Sequence, residues 1–361
     1  MIIKISETKT LYLFHKVSPL DIALSIRHLS IMLKTGLAIE DAIQVLSEQT
    51  ADDKLREIYT KMLKDVRSGM TMAESMQEHK KVFSKIIISI INVGEQGATL
   101  EKNLLFLADY LKKNYELQRK VKGALVYPII VFGITVIEML GVIFFILPKL
   151  ESLFSAFENT STFTITILGI AAFIRTNGLL LVIILITLGF TFSRFLGTKP
   201  GKRFSDWFQL KVPVLKKLNK NNIITSFSRT LGILLESGIP IEEAMKIASG
   251  TMGNGIYEKV LIKAYKNLKK GKDLADSLSK HPSLFPPTYV KMIEIGEQTG
   301  SLEDNLNYLY EFYAEEVQDM SNNLTTLLEP LLLIFIGIMI GLLALTIIAP
   351  IYQLTGTIRP Q

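Results

Sequence analysis

The chain contains no cysteine. Disulfides and thiolate metal sites are therefore excluded. Its four histidines, His15, His28, His79 and His281, are scattered, and no His-Glu-x-x-His motif brings two of them to one helix face. A P-loop is also missing. Gly201-Lys202 has Leu196 where the first glycine would stand, and Arg203 follows in place of serine or threonine. The chain therefore cannot draw on ATP through a P-loop of its own. No nucleophile elbow is present. Met1–Thr10 lacks the apolar core of a secretory signal peptide. No stretch alternates apolar and polar residues convincingly enough to predict a strand. These absences predict a protein that is not an enzyme, with no catalytic residues, no cofactor and no metal site.

What is present is unevenly placed. The 361 residues are 48% hydrophobic, with a mean hydropathy of +0.32. The excess is concentrated in residues 125–147, 163–192 and 331–349, whereas 20–120 and 220–322 are charged and patterned like soluble protein. This predicts a membrane protein with large aqueous domains. The net charge of +6 suits a surface close to anionic lipid.

The strongest signal is an internal duplication. Gly36 and Gly238 stand 202 residues apart, and the same ungapped offset pairs Glu40 with Glu242, Gly69 with Gly271 and Phe83 with Phe285. It also pairs Gly94-Glu95-Gln96 with Gly296-Glu297-Gln298, Leu100-Glu101 with Leu302-Glu303, Pro128 with Pro330, and Pro148 with Pro350. In each copy the two prolines are 20 residues apart. At ~1.5 Å per residue that distance is about 30 Å, the hydrocarbon thickness of a bilayer. Spans are predicted from Tyr127 to Leu147 and from Pro330 to Ala349. Between them lie two apolar runs separated by Arg175-Thr176-Asn177-Gly178. The second run, Leu179–Phe192, reads as a span, with Phe163–Ile174 at the outer interface. One long tilted helix is the alternative.

Basic residues set the orientation. Arg119, Lys120 and Lys122 precede the first span, and Arg194, Lys199, Lys202 and Arg203 follow the second, while 149–177 holds only Lys149 and Arg175. The N-terminal part is predicted to be cytoplasmic and the C-terminal tail external. The unpaired middle crossing returns the second repeat to the side of the first, so the repeats are parallel.

Helix signals recur in register. Ser18-Pro19 caps a first helix, ended by Gly36. Ile39–Thr50 is amphipathic, Asp52–Ser68 is stopped by Gly69, and Thr71-x-x-Glu74 is a capping box. Ser84–Val93 is a fifth helix, and Thr99 or Ser301 opens a long sixth. The expected fold is an all-α membrane protein. Two homologous cytoplasmic six-helix bundles stand in tandem, each followed by a transmembrane helix, with three transmembrane helices in total. The predicted divisions are an N-terminal extension at 1–17, bundle one at 18–124 and the first transmembrane helix at 125–148. An external or interfacial connection follows at 149–177, then the second transmembrane helix at 178–196 and bundle two at 197–326. The third transmembrane helix occupies 327–350, and an external tail 351–361.

The duplicated pattern G-[LI]-x-I-E-[DE]-A, G-x-x-[ML]-A-[ED]-S, [VI]-G-E-Q and T/S-L-E-x-N-L ends at a proline-bounded span. It resembles the inner-membrane platform proteins of type II secretion systems and type IV pili, the GspF/PilC family, over about residues 20–355. Lys120-Val121-x-x-Ala124-Leu125-x-Tyr127-Pro128 and Leu328-Glu329-Pro330 sit where that family's spans begin. The resemblance implies a bacterial inner-membrane protein that couples a cytoplasmic hexameric ATPase to insertion of pilins or pseudopilins. The filament could serve secretion, a pilus or competence. The implied partners are that ATPase, the pilins, other inner-membrane assembly proteins, the lipid bilayer and further copies of the chain. Direct nucleic-acid binding is not expected. Many members of the family have a longer region before the first bundle than the roughly 17 residues preceding Ser18 here.

Several features carry candidate sites. Gly94-Glu95 and Gly296-Glu297 could form a carboxylate site for a hard cation, with Glu101 and Glu303 nearby. The favoured reading is a helix–turn–helix corner, with glycine at a C-cap and the carboxylate near the next helix N-terminus, because capping explains every residue type present. Glu138 falls in the middle of the first span, opposite Ile340, where a charge costs roughly 2.5–3.5 kcal/mol and should face protein or water. It is a candidate for contact with a pilin or a neighbouring subunit, against a protonated or paired glutamate. Lys259, Lys263, Lys266 and Lys270 fall at spacings that place them on one helix face, as a docking stripe or a solvated surface. Stems of opposite charge are expected side by side, within one chain or between subunits: Lys112, Lys113, Arg119 and Lys120 against Glu311, Glu315, Glu316 and Asp319. The alternative to a platform is an oligomeric transporter or channel component. Broken helices and polar midplane residues would mark a transporter, and Glu138 is the one clear acidic residue within a span.

Overall fold

The computed structural model describes residues 3–5, 9–11, 17–124, 126–149, 162–211 and 213–357. Two three-residue strands, β1 (Ile3–Ile5) and β2 (Lys9–Leu11), pair antiparallel near the N-terminus, with Lys4 opposite Thr10. The sequence reading missed them, because three residues are too few to show a period of two. All other regular elements among the described residues are helical.

The first repeat opens with α1 (Pro19–Lys34), α2 (Ile39–Gln49), α3 (Asp53–Arg67), α4 (Met72–Glu78), α5 (Lys85–Gln96) and α6 (Leu100–Ala124). Several boundaries have a local cause. The Ser18 hydroxyl accepts the Leu20 amide at 3.2 Å, and Pro19 occupies the first helical position. Thr71 and Glu74 form the capping box in both directions. Gly36, just past α1, adopts φ +86°, and its repeat mate Gly238 adopts φ +83°. A left-handed residue there lets the chain reverse after the helix, a conformation in which glycine pays no side-chain penalty.

Next come α7 (Val126–Gly141), which widens into a π-helical stretch at Val142–Ile146, and α8 (Thr162–Leu196). Then α9 (Lys199–Lys211) precedes the second repeat, built from α10 (Pro213–Glu236), α11 (Ile241–Ser249), α12 (Gly255–Leu268), α13 (Leu274–Ser279), α14 (Pro287–Thr299) and α15 (Leu302–Thr357).

Contacts divide the chain into two units. The first joins residues 1–119 with 206–318, so the helical parts of both repeats belong to one body with a continuous core. Ile26, Leu29, Ile43, Leu55, Tyr59, Met62, Met72 and Phe83 fill the first repeat's side. Phe227, Leu231, Met245, Tyr257, Phe285 and Tyr289 fill the second's. The buried phenols find hydroxyl partners: Tyr59 Oη lies 2.6 Å from Ser25 Oγ, and Tyr289 Oη 3.0 Å from Ser228 Oγ. A buried hydroxyl without a partner would cost stability, so these pairs fix the first helix of each repeat against its neighbours.

The second unit joins residues 120–205 with 319–361. Ile143, Leu147 and Ala171 are buried where the end of α7 meets α8, and Phe132 and Phe335 pack with ring centroids 6.1 Å apart. Most other apolar side chains in this unit point outward: Phe145 is 74% exposed and Leu179 79%. An apolar exterior of this extent suits lipid rather than water. Two helical segments, Ile129–Lys149 and Gly169–Leu196, are long and apolar enough to cross a membrane. The expected third span, Pro330–Ala349, lies within α15.

The middle segment departs from the primary expectation. Thr162–Leu196 is one unbroken helix through Arg175-Thr176-Asn177-Gly178, the alternative arrangement. Asn177 remains helical with its side-chain amide donating to the Phe173 carbonyl at 3.1 Å, so this polar side chain finds a partner within the helix. At ~1.5 Å per residue the helix is about 52 Å long, more than a bilayer core requires.

Candidate functional sites: repeat corners and the seam between repeats

The Gly-Glu-Gln elements form the same corner twice. Glu95, near the end of α5, reaches back to the start of α4. Its two carboxylate oxygens accept the Met72 and Ala73 amides at 2.7 and 3.0 Å. Glu297 does the same at the start of α13, accepting the Leu274 and Ala275 amides at 2.6 and 2.9 Å. These amides belong to first-turn residues, which lack partners inside their helix. The helix dipole adds attraction for the carboxylate. Each glutamate thus bolts the fourth helix of its repeat to the fifth.

This corrects the expected corner in two respects. The carboxylate serves the preceding helix rather than the following one. Gly94 is also not a C-cap: it is buried inside α5, and Gly97 holds the C-cap position. A Cβ on Gly94 would meet the Leu100 Cα at 2.9 Å, and one on Gly296 would meet the Leu302 Cα at 2.9 Å. The glycine lets the fifth helix approach the start of the sixth. Asn103 and Asn305 then cross that approach, donating to the Ile90 and Met292 carbonyls at 3.3 and 2.9 Å. Both oxygens of Glu95 and of Glu297 are held by amides, so the corner is built as a brace.

The remaining predicted residues separate. Glu138 is exposed on α7 and takes no hydrogen bond or ion pair from the described residues. Lys259, Lys263 and Lys266 are exposed on α12, but Lys270 lies beyond its end at Leu268. Lys270 follows the Lys269 C-cap, so the expected four-residue helical stripe has three members on the helix. Three of the stem residues pair within their own repeat. Lys112 and Lys113 pair within α6, with Glu116 at 3.8 Å and Asp109 at 3.4 Å. Glu316 pairs with Lys217 of its own repeat at 3.8 Å.

The charged link between repeats was not anticipated. Arg229 of α10 donates to Asp109 of α6 at 2.6 Å. The Arg229 side chain is 8% exposed and Asp109 45%. The guanidinium also lies over the Tyr310 ring, 4.6 Å from its centroid. Along the same seam Tyr110 Oη lies 3.1 Å from Thr230 Oγ1, and Asn103 donates to the Ser237 carbonyl at 3.3 Å. A cavity of about 430 Å³ beside the pair is lined by Arg27, Asp109, Arg229, Glu236 and Glu311 among others. Burial pushes the Glu236 carboxyl above its ordinary range, with Arg229 pulling partly the other way. The duplication held a signal for this seam: Arg27 is the repeat mate of Arg229, and Glu311 of Asp109.

The profile of the family described as "Type II secretion system (T2SS), protein F" matches this chain twice, at residues 25–148 and 227–350. The chain belongs to that family. Both copies of the match start in the first helix of a repeat and end at the second proline of its apolar segment. The structure is thus helical, with two tandem protein F domains and two candidate membrane spans. The chain is 34% identical to the type IV pilus assembly protein PilC of Thermus thermophilus, across 94% of this chain and 84% of the relative. It is 28% identical to the type IV pilus assembly protein PilC of Pseudomonas aeruginosa, across 95% and 92%. The type II secretion system protein F of Aeromonas hydrophila is 27% identical, across 98% and 91%.

Proposed function

We propose that this chain is an inner-membrane platform protein of a type II secretion or type IV pilus machine, competence pseudopili included. In this reading it couples a cytoplasmic assembly ATPase to the insertion of pilins or pseudopilins. The observation that carries it is the double family match, in register with the structural repeat and ending in apolar helices. Each repeat acts as a six-helix bundle, and three crossings keep both bundles on the cytoplasmic side with the C-terminus outside. The two repeats sharing one core supports a role that transmits force: a body welded through Arg229–Asp109 and Asn103–Ser237 moves as a whole. The chain has no P-loop, so the energy comes from a partner. The exposed lysines at 259, 263 and 266 offer that partner a basic face. Glu138 offers an intramembrane contact to a pilin or a second copy, because a charge at that depth is costly without a polar neighbour.

The test is removal of the gene from its host, followed by complementation with the wild type and with Lys259, Lys263 and Lys266 all changed to glutamate. The reading predicts loss of filaments or secretion on deletion, restoration by the wild type, and loss of ATPase co-purification in the triple variant. Normal filaments in the deletion strain would overturn it.

A further inference from the structure

The helix α9 has a face that neither the family match nor the proposed platform role uses. It follows the apolar helix α8 after only Gly197 and Thr198. One side of it is fixed to the second repeat. Asp206, buried, accepts the Gly255 amide at 2.9 Å, and Asn254 donates to the Asp206 carbonyl at 3.3 Å. This holds α9 against the start of α12.

The other side carries large aromatics. Phe204, Trp207 and Phe208 are 48%, 50% and 46% exposed. Residues 204, 207, 208 and 211 share one helical face, and Asp206 lies well around the helix from them. Two basic side chains lie on or beside that face, Lys211 within it and Arg203 at its edge, whereas Lys202 lies on the Asp206 side. Lys202, Arg203 and Lys211 are exposed, and the Lys211 ammonium lies 5.3 Å from the centre of the Trp207 ring. Aromatic rings flanked by lysine and arginine, on a helix that directly continues an apolar segment, match the chemistry of the bilayer interface. There the rings sit at headgroup level and the cations meet lipid phosphate.

We propose that α9 lies in the cytoplasmic headgroup layer of an anionic bilayer, with Trp207, Phe204 and Phe208 inserted and Arg203 and Lys211 on phosphates.

Trp207 is the only tryptophan in the chain, so its fluorescence reports this helix alone. The full-length protein is reconstituted into phosphatidylcholine liposomes with and without phosphatidylglycerol, and with lipids brominated either near the headgroup or near the acyl terminus. The expected result is blue-shifted emission, quenched more by shallow than by deep bromines. Quenching should strengthen with phosphatidylglycerol and weaken in the Phe204→Ser/Phe208→Ser variant, which keeps Trp207 and Asp206. Water-like emission that iodide quenches fully would overturn the proposal. Blue-shifted emission insensitive to brominated lipid would overturn it as well, and would instead assign the face to a protein contact.

Discussion

Replacing Glu95 by alanine removes both acceptors from the amides of Met72 and Ala73. These residues are fully buried, so their amides have little access to replacement water. Each orphaned buried donor costs about 1–3 kcal/mol. Loss of the charge–dipole attraction adds about 0.3–1 kcal/mol. Freeing the glutamate side chain returns up to about 1.5–2 kcal/mol of rotamer entropy. At mid-range these terms leave a net loss of about 3 kcal/mol. Glu95→Gln, which keeps one acceptor and turns a donor toward the other amide, should lose less than alanine but more than a surface change. Two measurements check this on the purified full chain: chemical denaturation, and hydrogen exchange at Met72 and Ala73, which should accelerate selectively. Glu297→Ala should behave alike at Leu274 and Ala275. If Glu95→Ala unfolds within ~0.5 kcal/mol of wild type, the range of an ordinary surface substitution, and those amides keep their protection, the brace contributes nothing and the reasoning fails.

Other perturbations test neighbouring claims. Ala98 has φ +54°, and its repeat mate Gly300 has φ +70°, so Ala98→Gly should stabilise by up to about 1 kcal/mol and Gly300→Ala should destabilise by a similar amount in thermal melts. Gly296→Ala forces a Cβ to 2.9 Å from the Leu302 backbone and should cost about 1–3 kcal/mol in the same assay. Asp109→Ala strands the mostly buried Arg229 guanidinium and should cost about 2–3 kcal/mol, less than for a fully buried pair because Asp109 is half-exposed; Arg229→Met should cost less, and a double-mutant cycle should give a coupling of about 1–3 kcal/mol. The carboxyl of Glu236 is raised above 4.5 in the folded state, so the native protein holds this proton more tightly than the unfolded chain. Its stability therefore falls as pH rises through the window above 4.5. Glu236→Gln should be more stable than wild type at neutral pH, with the gain vanishing in acid; an equal gain at both pH values would refute this.

Local signals were legible and long-range ones were not. Ser18, Gly36 and the Thr71–Glu74 box act within a few residues, so residue type and spacing suffice to place them. The duplication likewise survives as an ungapped register. Glu95 is different, because its partners lie 22 and 23 residues earlier in the chain. Nothing local distinguishes it from a residue capping the next helix. Gly94 reads as a helix end because glycine usually ends helices, yet here it serves close packing, a property of the fold. Arg175-Thr176-Asn177-Gly178 looks like a break, but Asn177 satisfies its own side chain within the helix. Lys270 shows the limit of periodicity: the spacing continues one step past the last helical turn. The Arg229–Asp109 seam was visible only as two unremarked repeat pairs, whose contact depends on how the repeats pack.

The central claim is that the two repeats form one body on one side of the membrane. The absence of cysteine makes this directly testable, since each introduced thiol is the only one. Lys64→Cys and Lys259→Cys place a thiol on the exposed surface of each repeat, and Gln361→Cys places one at the C-terminus. A membrane-impermeant maleimide applied to intact spheroplasts and to inverted vesicles reports the side of each. The account predicts that positions 64 and 259 react only in inverted vesicles and position 361 only in spheroplasts. Labelling of 64 and 259 from opposite sides would contradict it.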